Sequence, residues 1–230
     1  MKNHLIICTA VIMVAAGLGC DHAKADRAKS SEQQPVAAKP ATKLEAVKTG
    51  EESKAASAFQ GEWDSGCDAE GFQGEMSQRV MHKIAGSDLT TTVQLFSDSA
   101  CSVVSTTSTT TAKLTVGSVS KAILGSYEVD IKYATVQVTP RSEASVQSLK
   151  SGLSEHADPK CRALGETLKV NTPAEFISCG PSSQQFTLLQ VSDNVLRFGD
   201  CEADSEACTT AASRAVAMRM GRGFARHGQQ

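Results

Sequence analysis

The chain has 230 residues, and its 23 basic and 25 acidic side chains leave a formal net charge of −2 at pH 7. Charges this evenly balanced provide no broad basic face, so the composition argues against nucleic-acid binding. The length allows one domain with a substantial core beside shorter terminal segments.

The N-terminal segment, residues 1–19, has the features of an export signal peptide. Lys2 precedes an apolar run over residues 5–16 that is too short to span a bilayer. The run is followed by Gly19 and Cys20, and a cysteine directly after a small residue resembles the lipobox of bacterial lipoproteins. This resemblance implies that Cys20 becomes the mature N-terminus and carries a lipid anchor, with palmitate among its acyl chains. The anchor implies a periplasmic or surface-exposed place in the bacterial cell envelope, and ordinary secretion is the alternative.

The composition of residues 20–58 predicts a disordered tether. The segment is rich in Ala, Lys, Glu, Ser and Pro and contains no aromatic residue. It cannot bury enough apolar area to offset its chain entropy. We therefore expect a disulfide-stapled β-barrel domain over residues 59–220, followed by a flexible tail over residues 221–230.

Apolar residues that alternate with polar ones predict an all-β domain. The pattern is clear over residues 89–96 and 127–133. Residues 186–191 and Val195–Phe198, separated by Ser192-Asp193-Asn194, predict a hairpin. Turn residues recur often enough between these segments to favour an antiparallel barrel or a sandwich.

One segment has helical rather than alternating spacing. Ser142 is a suitable N-cap, and Val146, Leu149 and Leu153 follow at intervals that place them on one helix face. We expect one short helix here and irregular chain over residues 155–181.

The cysteines indicate disulfide bonds rather than a metal site. Cys8 leaves with the signal peptide and Cys20 takes the lipid, and no Cys-x-x-Cys pair is present. The sequence alone does not choose among the pairings of the remaining cysteines, and reactive thiols are the alternative. Pairing between nearest neighbours predicts the bonds Cys67–Cys101, Cys161–Cys179 and Cys201–Cys208.

Several short motifs resemble known families. Gly61-Glu62-Trp63 contains the chain's one tryptophan, and residues 213–218 are interpreted as a last strand that carries Arg214. This arrangement resembles the lipocalins, in which a tryptophan of the first strand closes the barrel floor and stacks on an arginine of the last strand. Residues 63–67, 96–101 and 196–200 are similar to lipocalin-like bacterial exported proteins of uncharacterised function.

The lipocalin resemblance implies an antiparallel up-and-down barrel that is closed by Trp63 and Arg214. A barrel of this kind either encloses one small ligand or is filled by its own side chains. Trp63 as an ordinary core residue is the alternative interpretation. The expected inward-facing positions are Val80, Val93, Leu95, Val129, Ile131 and Leu188.

Acidic and catalytic motifs contribute little to a functional assignment. Asp200, Glu202, Asp204 and Glu206 alternate near Cys201, and they are weak candidates for a hard cation such as Ca²⁺. A solvated acidic loop is the simpler interpretation of these four residues. Because no nucleophile elbow, zinc-binding helix motif or phosphate loop occurs, we expect neither catalysis nor a cofactor.

The features together predict a lipid-anchored, extracytoplasmic, lipocalin-like module that binds a small apolar or amphipathic molecule without catalysis. The alternative is a protein-interaction or envelope-structural module with a filled barrel. The expected partners are the membrane, through the lipid anchor, and a small ligand or an envelope protein, with no nucleic acid.

Overall fold

A computed structural model describes residues 57–72, 76–176, 184–201, 208–219 and 223–227. Most of these residues are in strands. The strands are β1 (Gly61–Asp64), β2 (Asp68–Phe72), β3 (Met76–Ala85), β4 (Asp88–Phe96), β5 (Val104–Val119), β6 (Ser126–Pro140), β7 (Ala174–Glu175), β8 (Gln184–Ser192), β9 (Val195–Phe198) and β10 (Phe224–Arg226). Two helices, α1 (Glu143–Ser154) and α2 (Pro159–Thr167), lie between β6 and β7.

Eight of the strands form a closed antiparallel ring. The order is β1, β3, β4, β5, β6, β8, β9 and β10, and β10 pairs with β1 to complete the ring. The two remaining strands lie beside it, β2 on β3 and β7 on β6. The all-β, antiparallel up-and-down barrel that the sequence predicts is therefore confirmed.

Tight turns set the register of the hairpins. Ala85 pairs with Asp88 around Gly86, whose φ of +61° favours glycine. At the β8–β9 hairpin the central residues Asp193 and Asn194 have φ values of 54° and 59°. Asp and Asn tolerate this backbone region, and paired positive values match the twist of a hairpin. The hairpin predicted over residues 186–198 is confirmed.

Buried apolar residues form three separate clusters. The floor cluster fills one end of the barrel and consists of Phe59, Trp63, Ile84, Leu89, Ala112, Leu114, Val129, Ile131, Leu189, Leu196 and Phe224. The helix cluster consists of Val136, Val138, Val146, Leu149, Leu153, Cys161, Leu168 and Phe176. The outer cluster consists of Leu188, Cys201, Cys208 and Ala215. We call the two ends of the barrel the floor end and the helix end.

The predicted helix α1 begins at its expected cap. The Ser142 hydroxyl accepts a hydrogen bond from the Ser145 amide, and the Ser145 hydroxyl bonds back to the Ser142 amide group. The expected apolar residues Val146, Leu149 and Leu153 are buried on one face. They pack with Val136 and Val138, which lie in the C-terminal half of β6.

Helix α2 lies where the sequence predicted irregular chain, so the expectation of one helix is wrong. Asp158 caps it by accepting a hydrogen bond from the Lys160 amide at 2.8 Å, and Pro159 occupies the first turn. The helix buries Cys161 and packs Gly165 against Leu153 of α1. The Asp-Pro pair is the N-terminal signature that the sequence contained.

The C-terminal boundary also differs from the prediction. Residues 213–218 are not a strand, apart from one isolated bridge between Met218 and Gly199. The last strand is instead β10, inside the segment that was expected to be a flexible tail. Phe224 pairs with Leu196 of β9 while Arg226 pairs with Trp63 of β1. The domain therefore extends beyond residue 220.

Two predicted disulfides are confirmed, Cys67–Cys101 and Cys201–Cys208. Cys161 is buried and disulfide-bonded, whereas Cys179 of the predicted Cys161–Cys179 bond lies outside the described residues. The predicted signal peptide, the predicted lipidation site Cys20 and most of the predicted tether, over residues 1–56, also lie outside them. No helix in the described part of the chain is long and apolar enough to cross a bilayer.

The two confirmed disulfides close loops of different length, with sequence separations of 34 and 7 residues. Chain entropy therefore predicts different contributions of about 3.5–4 and about 2.5 kcal/mol to the free energy of unfolding. We expect the double variant C67A/C101A to lose more stability than C201A/C208A in urea denaturation of the full chain. Equal losses would contradict the entropic account.

Candidate functional site

The candidate site is the barrel interior, and its floor is built on Trp63. This side chain is 0% exposed, and its indole N–H donates to the Phe59 carbonyl at 2.8 Å. The Arg226 guanidinium lies 4.6 Å from the centre of the indole ring. The stack follows from strand pairing, because Trp63 and Arg226 are cross-strand partners. A cation–π contact of this kind contributes about 0.5–2 kcal/mol.

Arg214, which was predicted to stack on Trp63, has a different position and role. Its guanidinium donates to the Val129 and Thr187 carbonyls at 2.7 and 3.0 Å and to Asp130 Oδ1 at 2.7 Å. It also lies over the Phe186 ring. The prediction is corrected because residues 213–218 pack on the outside of the wall, whereas Arg226 stands directly beside Trp63.

An ion pair between buried Asp64 and partly exposed Arg79 holds the C-terminal end of β1. Asp64 is buried, and both of its carboxylate oxygens accept hydrogen bonds from Arg79 of β3. The Gly66 amide donates to the same carboxylate at 2.8 Å. These hydrogen bonds, with that of Arg79 the strongest influence, hold the pKa of Asp64 below its usual range despite burial. The pair lies where β1 ends and the Cys67–Cys101 disulfide begins.

A histidine lies inside the barrel above the floor. His82 is 8% exposed, and its Nδ1 is 2.9 Å from the Thr91 hydroxyl. Its ring also contacts Phe198 and Phe224, with centroid distances of 4.8 and 4.4 Å. Burial among these groups lowers the pKa of His82 to about 3. The imidazole is therefore neutral at physiological pH and acts as a hydrogen-bonding group.

Above His82 the inward side chains of β5 change from apolar to hydroxyl-bearing. On β5 the inward positions of the floor end are Ala112 and Leu114, and alternation places Thr106, Ser108 and Thr110 on the same face. All three are buried. Thr110 and Ser108 pair with Val136 and Val138, which belong to the helix cluster, so the helices lie over this half of the interior.

The β4 strand supplies the opposite part of this wall. Val93 and Leu95 are buried and share the inner face with Leu89. Unlike Leu89, they belong to none of the three apolar clusters that the described residues form. We call this region the upper interior; it is lined by Thr91, Val93, Leu95, Thr106, Ser108 and Thr110.

Ser108 carries the most informative atom of the upper interior. The residue is 5% exposed, and its hydroxyl oxygen is buried with no hydrogen-bond partner in the described part of the chain. A buried hydroxyl without a partner is unfavourable, so native proteins rarely leave one. On the ladder Ser108 lies between Val93 and Val138. A ligand with an apolar body and one polar group would supply the hydrogen-bond partner that this hydroxyl lacks.

Tyr133 and Gln185 add a second polar group to the interior. Tyr133 pairs with Ala112, and its hydroxyl donates to Gln185 Oε1 at 2.6 Å. Burial raises the pKa of Tyr133, so the phenol stays protonated. Its hydrogen bond is already satisfied, which distinguishes this pair from Ser108.

The positions that the sequence predicted as inward-facing mostly lie inside the barrel. Val129 and Ile131 belong to the floor cluster, Val80 packs against it, and Val93 and Leu95 line the upper interior. Leu188 is the exception, because it lies in the outer cluster while its neighbour Leu189 lies in the floor cluster. Successive strand residues face opposite sides, so the choice between two adjacent leucines required the register.

Three of the four acidic residues that are weak candidates for metal ligands lie outside the described residues. Asp200 is half-buried, whereas Glu202, Asp204 and Glu206 lie outside the described residues. No cluster of His, Cys, Asp and Glu side chains that could hold a metal ion occurs within the described ranges.

Comparison with known proteins adds no assignment: no family model and no curated protein matches this sequence. The similarity to lipocalin-like exported lipoproteins therefore remains a prediction from the motifs, while the closed barrel stands on the strand pairing.

We expect the R226A variant to shift and weaken Trp63 fluorescence and to lower the free energy of unfolding by about 1–2 kcal/mol, because the indole loses its cation. Trp63 is the chain's one tryptophan, so the tryptophan emission reports on the surroundings of this indole. R214A is the matched control, and it should leave the emission unchanged. The reverse pattern would restore the sequence-based assignment of Arg214.

His82 makes the stability of the barrel depend on pH. Its pKa falls from 6.5 to about 3 on folding, so below pH 6.5 the unfolded chain takes up a proton that the folded chain rejects. The contribution of neutral His82 to the free energy of unfolding is therefore fully present above pH 6.5. It decreases as the pH falls toward 3, by at most ~1.4 kcal/mol per pH unit. We expect H82Q to show a shallower loss than the parent chain in urea denaturation between these values. Identical slopes would show that folding leaves the pKa of His82 unchanged.

Proposed function

We propose that this protein binds a small amphipathic molecule, without catalysis, in the upper interior of its barrel. The orphan hydroxyl of Ser108 is the observation that supports the proposal most strongly. A ligand with an apolar body and one hydroxyl, carbonyl or amide group matches the region, since Val93 and Leu95 offer apolar surface beside the hydroxyls of Thr106 and Thr110. Neutral His82 adds no charge to attract an ionic group.

The division of the barrel into two halves supports the same proposal. Aromatic and branched side chains fill the floor end around Trp63, so that end is packed by protein. The inward side chains of β5 in the helix end are Thr106, Ser108 and Thr110, which give this part of the wall hydroxyl groups. Small barrels of this strand number hold at most one small ligand, and here the inward hydroxyl groups of β5 concentrate in one half.

We further propose that the domain acts outside the cytosol on a lipid anchor at Cys20. The apolar leader and the small residue before Cys20 support the anchor. The disulfides Cys67–Cys101 and Cys201–Cys208 support an oxidising compartment, because such bonds rarely persist among cytosolic thiols.

The proposal is tested by changing the size of residue 108. We expect native mass spectra of the full chain, extracted in mild detergent, to show a bound non-protein molecule. S108L should abolish its retention, since leucine occupies the ligand volume. S108A should weaken retention by about fivefold, the loss expected for one hydrogen bond, without destabilising the free protein. S118L is the matched control, because Ser118 is exposed on the same strand.

A filled barrel gives a different set of results. If the upper interior is packed by protein alone, no molecule is retained, and S108L lowers the free energy of unfolding by about 1–3 kcal/mol through overpacking. That outcome would favour an interaction or structural module over a binding protein.

A further inference from the structure

The β5–β6 hairpin extends past the β3–β4 turn at the floor end of the barrel. β5 continues from Lys113 to Val119 after its partner strand β4 has begun at Asp88. The Leu114 amide donates to the Ser87 carbonyl at 2.8 Å, which marks the level of the neighbouring β3–β4 turn. Residues 115–127 therefore extend beyond that turn.

The tip of this hairpin is held in one shape by hydrogen bonds. Within the tip, the Ala122 amide donates to the Ser120 hydroxyl at 3.1 Å, and the Ser126 hydroxyl donates to the Ile123 carbonyl at 2.8 Å. The Gln190 amide group of β8 donates to the Leu124 carbonyl at 3.0 Å. An element tied down in this way presents its side chains in fixed directions.

The fixed tip directs one leucine into solvent. Ile123 packs against the outer cluster, whereas Leu124 is 94% exposed and Val119 at the end of β5 is also exposed. Residues 117–127 contain a single charged side chain, Lys121, which is exposed. A projecting apolar residue beside a lysine and without nearby acidic neighbours in the loop suits the interface of a bilayer with anionic lipid.

The N-terminal segment reaches the barrel at the same end. The Phe59 ring lies 5.7 Å from the ring of Tyr127, directly after the tip. Gln60 bonds to both the amide and the carbonyl of Gly86 in the β3–β4 turn. The chain therefore enters the barrel at the same end as the hairpin tip. The β8–β9 turn at this end carries exposed Asp193 and Asn194, so the apolar contact is confined to the hairpin tip.

We propose that the β5–β6 tip contacts the lipid bilayer and that Leu124 inserts into its interface. The inference rests on the proposed lipid anchor at Cys20, which supplies the high local concentration that a single apolar residue requires. The contact orients the barrel with its floor toward the membrane and its helix end, above the upper interior, away from it.

Fluorescence of the full lipidated chain tests the contact. L124W is reconstituted in vesicles of equal parts phosphatidylcholine and phosphatidylglycerol, with or without lipids brominated in their acyl chains. V103W is the matched control, because Val103 is 56% exposed in the loop at the opposite end of the barrel. We expect brominated lipid to quench at least about half of the added emission of L124W and little of that of V103W. Trp63 contributes the same buried background to both variants.

The outcomes separate the tip from the anchor. If the chain floats with the vesicles but L124W is quenched no more than V103W, the tip contact is wrong and the anchor stands. If the chain does not float, the anchor and the tip contact are both wrong. The anchorless variant C20A defines the flotation expected without lipid attachment.

Discussion

Ring closure through β10 is the constraint on which the rest of the structure depends. This strand is only three residues long, yet it joins β9 to β1 and leaves the ring without a free edge. Arg226 covers the Trp63 indole, and Phe224 enters the floor cluster and contacts the His82 ring. One short strand therefore closes the wall, completes the floor and dehydrates the histidine that separates the two halves of the interior.

The two halves of the interior result from a change of composition along one strand. From Ala112 toward Val116, β5 presents apolar side chains that pack into the floor, and from Thr110 toward Thr106 it presents hydroxyls. Threonine suits a pleated strand because of its β-branch, so the change does not disturb the sheet. The strand thus combines an apolar, packed end with a hydroxyl-bearing end, and the proposed ligand lies at the second.

A cluster of buried residues also lies on the outer face of the barrel wall. The outer cluster forms around the Cys201–Cys208 disulfide, and Arg214 ties this region to β6 through the Val129 carbonyl and Asp130. Gly199 is required here, because a Cβ atom would lie 2.6 Å from that of Ala215. Residues 208–219 of the connection from β9 to β10 are therefore packed onto the barrel.

The sequence predicted the parts of the fold that repeat over many residues. Alternation identified β4 and β6, and the Ser142 cap with its helical spacing identified α1. β10 was missed because three residues are too few to alternate, and the arginine partner of Trp63 was consequently placed at Arg214. Leu188 was assigned to the wrong face because adjacent leucines do not reveal the register. The orphan hydroxyl of Ser108 depends on contacts between distant strands, which no local pattern contains.

The most direct test of the account is a crystal structure of the full protein purified from the cells that naturally produce it. The account predicts electron density for a non-protein molecule in the upper interior, with a polar atom within hydrogen-bonding distance of Ser108 Oγ and apolar atoms against Val93 and Leu95. A Ser108 hydroxyl bonded to a protein group, with the space between β5 and the helices occupied by side chains alone, would contradict it.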